Sequence, residues 1–158
     1  MAVLPEPISI LFVCHGNICR SPMAEFIMKD LVAKAKLADQ FHIESAATSA
    51  EELGNPVYPG TKKILTRLGI DCSQKRARRI TLDDYKAFDL IIGMDDANVR
   101  NLRMKYHNDP DNKIHLLLDY TGEQRAIADP WYSGDFETTY QDVTAGCQAL
   151  LASLTQEA

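Results

Sequence analysis

Six residues, Ile8-Ser9-Ile10-Leu11-Phe12-Val13, make an almost unbroken apolar run with β-branched character. The run is too short for a helix and too apolar for a strand with one wet face. It reads as a strand buried on both sides. It leads into a turn, Cys14-His15-Gly16-Asn17-Ile18-Cys19-Arg20-Ser21-Pro22. A helical pattern follows, with Ala24, Ile27, Met28, Leu31, Val32 and Ala35 recurring on one face. A doubly buried strand feeding a helix through a short turn belongs in a parallel sheet, whose crossovers cover its faces with helices.

The rest of the chain repeats the alternation. Phe41 to Ala47 is a weaker strand candidate. Pro59 opens a helix carrying Ile64, Leu65 and Leu68, and Gly69 ends it. Thr81-Leu82-Asp83-Asp84 has the form of a capping box, with aspartate in the glutamate position, on a short helix. Phe88 to Met94 predicts a third strand, followed by a helix with Val99 and Leu102 inward. Ile114 to Leu118 predicts a fourth strand. The last helix carries Phe136, Tyr140, Val143, Cys147, Leu150, Leu151 and Leu154 on its apolar stripe. The expectation is a three-layer α/β/α fold around a four-stranded parallel sheet, one domain over residues 1–158, with right-handed crossovers. Ligands of such sheets bind beyond the carboxyl ends of the strands, which is where Cys14 falls.

Each residue type in that turn suits an anion. N–H groups of a tight loop and of a helix N-terminus converge on negative charge. Arg20 offers a planar fork for two oxygens, and Cys14 sits beneath as a nucleophile whose thiolate is favoured by the same positive field. Gly16 frees the backbone to turn, and Asn17 tolerates a left-handed conformation. Ser21-Pro22 reads as N-cap and first helical residue, and the Ser21 hydroxyl is in reach of Cys14.

Composition narrows the classes. The 158 residues carry a net charge of −5, which gives no nucleic-acid footprint. The Arg76-Ala77-Arg78-Arg79 cluster is local and reads as a solvated turn. No stretch reaches membrane-spanning length and no signal-peptide pattern opens the chain, so a cytoplasmic location is expected. The four cysteines, Cys14, Cys19, Cys72 and Cys147, need form no disulfide framework, and Cys147 falls on a core stripe. The four histidines form no cluster with them, so neither a metal nor another cofactor is expected.

A thiolate attacking phosphorus must expel an alkoxide or phenoxide, which an acid assists. Asp129, in Ala128-Asp129-Pro130-Trp131-Tyr132, is the candidate. Pro130 biases it towards an extended conformation, and Trp131 and Tyr132 supply apolar walls. Asp109-Pro110 repeats the dipeptide, but its neighbours read as a plain polar turn.

Taken together, Val13 to Pro22 and Asp129-Pro130-Trp131-Tyr132 resemble the signature loop and the acid loop of the low-molecular-weight protein tyrosine phosphatases. Glu44 to Ser49, Gly54-Asn55-Pro56 and Met94-Asp95 resemble further segments of that family. The resemblance implies a flavodoxin-like sheet and metal-free hydrolysis of phosphomonoesters through a cysteinyl-phosphate. It implies Cys14 as nucleophile, Arg20 as phosphate clamp, Asp129 as general acid, and a phosphate-binding loop of His15, Gly16, Asn17, Ile18, Cys19 and Arg20. It also implies Asn17, Ser21 and Ser45 as a supporting network, and Cys19 as a redox partner of Cys14. The implied substrate is a phosphotyrosine-containing protein or small aryl phosphate, with inorganic phosphate as product.

Two departures stand out. Glu51 occupies a rim position that is often aromatic in the family, leaving Trp131 and Tyr132 as the aromatic walls. Ser73-Gln74-Lys75-Arg76-Ala77-Arg78 lacks the histidine of the family's Ser-His-x-Ala-Arg stretch. An arsenate reductase on the same fold is an alternative, as is a non-catalytic phosphate-binding or redox-sensing module. The first needs further relay cysteines; the second has no use for Asp129. A monomer is expected.

Overall fold

The computed structural model describes residues 6–155; the ends of the expected 1–158 domain lie outside them. Four parallel strands, β1 (Ile8–Cys14), β2 (Phe41–Ala47), β3 (Leu90–Gly93) and β4 (Ile114–Leu116), lie in the order β2-β1-β3-β4. β1 is central, and Ile10 to Val13 are fully buried, because both faces of the strand are covered. Strand alternation sends Ile10 and Phe12 to one face, Leu11 and Val13 to the other.

Helices α1 (Arg20–Lys34), α2 (Pro59–Arg67) and α6 (Phe136–Thr155) cover the Ile10 face, where Met23, Met28, Leu65, Cys147 and Leu150 pack. On the Leu11 face lie α3 (Leu82–Ala87) and α4 (Asp96–Lys105), with Val99 and Leu102 inward. Pro59 is the first residue of α2, and Gly69 follows it at φ +77°, a left-handed conformation that glycine adopts without penalty. Thr81 and Asp84 form the capping box of α3. A short helix, α5 (Pro130–Ser133), was not anticipated; Asp129 caps it, accepting from the Trp131 N–H at 3.0 Å.

Several expectations are corrected. The third strand begins at Leu90 rather than Phe88, because Phe88 terminates α3 and buries its ring. The fourth ends at Leu116; Leu117–Thr121 winds into a 3-10 turn that aims Leu117 at α6, where a Cβ on Gly146 would lie 2.5 Å from Leu117 Cγ. Ser21 is not an N-cap. Helix α1 starts at Arg20, two residues before the expected Pro22, and the Ser21 hydroxyl is spent elsewhere. The arginine cluster is not simply solvated: Arg78 donates to both carboxylate oxygens of Asp84, at 3.0 and 3.2 Å, and to Glu44 at 3.3 Å. Asp109 does more than occupy a polar turn, since its carboxylate accepts from Tyr85 Oη and from the N–H groups of Lys113 and Ile114.

Candidate active site

The turn after β1 is shaped by its neighbours. The N–H groups of Thr48, Ser49 and Tyr58 take the carbonyls of Cys14, His15 and Ile18, at 3.0, 3.1 and 2.9 Å. In a trans peptide the following N–H points the opposite way, so those of His15, Gly16 and Cys19 face the concave side. Asn17 carries the left-handed conformation, at φ +60°. Gly16 does not. What it supplies is room, since a Cβ there would stand 3.2 Å from Glu52 Cγ. Cys14 is buried at the base of the loop, with the Asn17 N–H 3.3 Å and Ser21 Oγ 3.0 Å from its sulfur.

A buried relay leaves the Ser21 proton available to Cys14. The carboxylate of Glu25, itself buried, accepts from Ser45 Oγ at 2.5 Å. Ser45 Oγ therefore accepts from Asn17 Nδ2, at 2.9 Å, and the same amide nitrogen donates to Ser21 Oγ at 2.7 Å. The Arg78 N–H donates to Asn17 Oδ1 at 3.1 Å, which sets the amide's orientation. One lone pair of Ser21 Oγ is engaged by Asn17, and its hydroxyl proton is left available to a Cys14 thiolate. Glu25 is balanced by Lys29, at 2.6 Å, and by Lys75, at 3.4 Å, whose ammonium also donates to the Ser45 carbonyl at 2.8 Å. Burial pulls the Lys75 proton affinity down, and Glu25 only partly restores it. Lys75 thus fills the stretch that lacks the family histidine.

Arg20 is 2 % exposed at the start of α1. Its Nη1 donates to Asp95 Oδ2 at 2.8 Å and to the Ile127 carbonyl at 2.9 Å; its Nη2 lies 3.4 Å from Asp129 Oδ2. Burial alone would weaken its hold on the proton, but the charges of Cys14, Asp95 and Asp129 outweigh it and raise the guanidinium above its ordinary value. Burial, then the charges of Cys14 and Asp129, push the Cys19 thiol up to about 12. It stays protonated near neutral pH.

Cys14 and Arg20 lie at the bottom of a cleft whose rim carries Glu51 and Glu52 together with Asp129, Trp131 and Tyr132. Glu51 Oε2 is 3.1 Å from His15 Nε2, with both side chains largely exposed. Trp131 packs edge-on against Tyr58, with centroids 5.0 Å apart, and Tyr58 stacks on Phe136 at 5.7 Å. Among the described residues, no group of three or more histidine, cysteine or acidic side chains is gathered where it could hold a metal ion. No helix among them is long and apolar enough to cross a membrane.

The family model described as low molecular weight phosphotyrosine protein phosphatase matches residues 9–158. The chain belongs to that family. Its members are hydrolases of phosphoric monoesters, as the sequence resemblance implied. A Bacillus subtilis relative, the low molecular weight protein-tyrosine-phosphatase YfkJ, is 43 % identical over 95 % of this chain and 97 % of its own. The human low molecular weight phosphotyrosine protein phosphatase is 42 % identical over 90 % and 93 %. The YfkJ crystal structure superposes with a TM-score of 0.91, covering 96 % of each chain. A Streptococcus pyogenes low molecular weight protein tyrosine phosphatase, 46 % identical, gives 0.85 over 95 % of each. The flavodoxin-like arrangement is that of these phosphatases.

The site residues expected from the sequence line the cleft, except Asn17, Ser21 and Ser45, which lie buried beneath the loop. Sequence reasoning missed Glu25, Lys75 and the tie from Arg20 to Asp95 and Ile127. A signal for Glu25 existed: it is a charged residue inside the apolar stripe of α1. Cys72 and Cys147 are both buried, and Cys147 Sγ faces the Ala24 carbonyl across the core. Neither supplies the accessible relay thiol that an arsenate reductase requires.

Proposed function

We propose that this chain hydrolyses phosphotyrosine, or a small aryl phosphate, in two steps through a cysteinyl-phosphate. The observation that carries the reading is one buried sulfur under a hydroxyl proton, with the Arg20 fork and the Asp129 carboxylate at the same cleft floor. The phosphoryl dianion sits on the N–H groups from His15 to Arg20, and Arg20 Nη2 turns to its oxygens as the long contact to Asp129 gives way. The Cys14 thiolate forms the sulfur–phosphorus bond while the bond to the aryl oxygen breaks, and Asp129 delivers a proton to that oxygen. Water then attacks phosphorus. Asp129 takes its proton, the thiolate leaves, and inorganic phosphate is released. Ser21, with its proton available to Cys14, stabilises sulfur as nucleophile and as leaving group. Trp131 and Tyr132 wall the aryl ring, Glu51 lies on its rim, and Cys19 can capture an oxidised Cys14. The site is complete within one chain, consistent with action as a monomer on a protein-borne phosphotyrosine.

Hydrolysis of p-nitrophenyl phosphate tests this. Cys14→Ser is expected to abolish turnover with the fold intact, and Asp129→Asn to slow it by about 10²–10⁴-fold. Chelator leaves the rate unchanged. Full activity of Cys14→Ser would overturn the mechanism.

A further inference from the structure

Beyond His15 and Glu51 the cleft continues as a second groove. It runs past Thr48 and Arg79 to the outer side of α4, where Met104 and Lys105 lie. Among the described residues neither Arg79 nor Lys105 forms an ion pair, whereas other cations near the site, such as Arg20, Lys75 and Arg78, are matched by carboxylates. Arg79 is anchored at the near end of the groove by a hydrogen bond from Nε to the Thr48 carbonyl, at 3.2 Å. Farther along, Arg100 and Arg103 flank Met104, which is 77 % exposed, and outweigh Asp96, the carboxylate on the same stretch. This face runs against the net charge of −5 carried by the whole chain. At the mouth the sign reverses, since Glu51 and Glu52 line the rim.

We propose that this groove is a docking track for an acidic segment of the phosphotyrosine-bearing protein, read by Arg79 and Lys105. Glu51 and Glu52 disfavour acidic residues immediately beside the phosphotyrosine. The assignment rests on the phosphatase reading above and adds the substrate's charge pattern to it. The spacing follows from geometry. Asp95, bonded to Arg20, caps the start of α4, and Lys105 is its last residue. At about 1.5 Å per residue the helix covers roughly 15 Å between them. An extended peptide advances about 3.3 Å per residue, so acidic side chains about four or five positions from the phosphotyrosine face Lys105, and nearer ones face Arg79. Long-range attraction of this kind raises encounter rate and selectivity more than the chemical step.

Matched phosphotyrosine peptides test the proposal, with paired glutamates or paired lysines placed four and five positions away, on either side in turn. Wild type is expected to show a kcat/KM about 3- to 10-fold higher for the glutamate peptide on one side, shrinking at high salt. In the double variant Arg79→Glu, Lys105→Glu the preference reverses, while kcat/KM for p-nitrophenyl phosphate stays at the wild-type value. Moving the glutamates next to the phosphotyrosine lowers wild-type kcat/KM. A wild type that fails on p-nitrophenyl phosphate would sink the phosphatase reading itself. Turnover of that ester with the same peptide preference in wild type and double variant would overturn the groove alone. So would loss of binding to phosphatidylserine vesicles by the double variant with peptide preference unaltered, which would assign the patch to a lipid surface.

Discussion

Gly60, in the first turn of α2, stands where the ring of Phe136 meets the helix. A methyl group there would place its carbon 2.5 Å from Phe136 Cε2 and Cζ and 2.6 Å from Cε1. Carbon atoms pack at about 3.5–4.0 Å, so the ring must retreat by roughly 1 Å. Behind it the ring stacks on Tyr58, and Tyr58 backs Trp131 on the cleft rim. Overpacking by one methyl costs about 1–3 kcal/mol, and three ring atoms in collision put Gly60→Ala in the upper part of that range. The better helix propensity of alanine returns at most about 1 kcal/mol. A net loss of about 1–2 kcal/mol lowers Tm by about 2–8 °C in a chain of this size. Because the displaced stack supports Trp131, the aryl contact weakens as well. That contact is worth about 0.5–1.5 kcal/mol, so kcat/KM for p-nitrophenyl phosphate falls by about 2- to 13-fold. Inhibition by inorganic phosphate, which needs only the loop and Arg20, stays within about twofold. Thermal unfolding and inhibition kinetics decide the matter. An unchanged Tm, or equal losses for aryl ester and inorganic phosphate, would refute the coupling from Gly60 to the rim.

Three further outcomes are expected. Burial works to raise the Asp109 carboxyl, but hydrogen bonds from Tyr85, Ile114 and Lys113 outweigh it and hold its proton affinity below the ordinary value. Its stabilising contribution is therefore present at neutral pH and is lost as the pH falls through the folded-state value, so Asp109→Asn flattens the acid side of the stability profile while leaving kcat near wild type. Peroxide inactivation is reversed by dithiothreitol in wild type and much less so in Cys19→Ser, because a neighbouring thiol captures the sulfenic acid of Cys14 before it oxidises further; equal recovery would remove Cys19 from that role. Glu51→Tyr raises kcat/KM for aryl phosphates by up to about tenfold and narrows any preference for basic residues adjacent to phosphotyrosine, measured on paired peptides; identical flank preference would place Glu51 off the rim.

The sheet was legible because β1 and α1 announce themselves by different periods, and Pro59, Gly69 and Thr81 punctuate at the right places. Boundaries failed where one residue served two purposes. Phe88 has strand character but closes α3 with a buried ring, and Leu117 continues an apolar run yet turns to meet Gly146. At the site, Cys14, Arg20 and Asp129 were visible through residue type and flanking order. The Glu25–Lys75 support was not, because a charge inside a helix stripe and a lysine in a basic cluster look solvated until tertiary packing removes the water. Arg78 was misread for the same reason: its carboxylate partners lie 34 and 6 residues away in sequence.

The three partners of Arg20 stand 75, 107 and 109 residues farther along the chain. The helix that begins at Arg20 is local and can form early, whereas the loop before it waits for Thr48, Ser49, Tyr58 and Arg78. The ties to Asp95, Ile127 and Asp129 close long loops, whose entropic cost must be met before those contacts contribute. Ile127 is held from the other side as well, its N–H bonded to the Met94 carbonyl at 2.9 Å. One guanidinium is thus the clasp between the first helix, the end of the third strand and the acid loop. Catalytic competence arrives only with the last of these closures. In refolding, recovered turnover trails the return of helical signal, and the reaction itself becomes a stricter gauge of a finished chain than compactness or secondary structure.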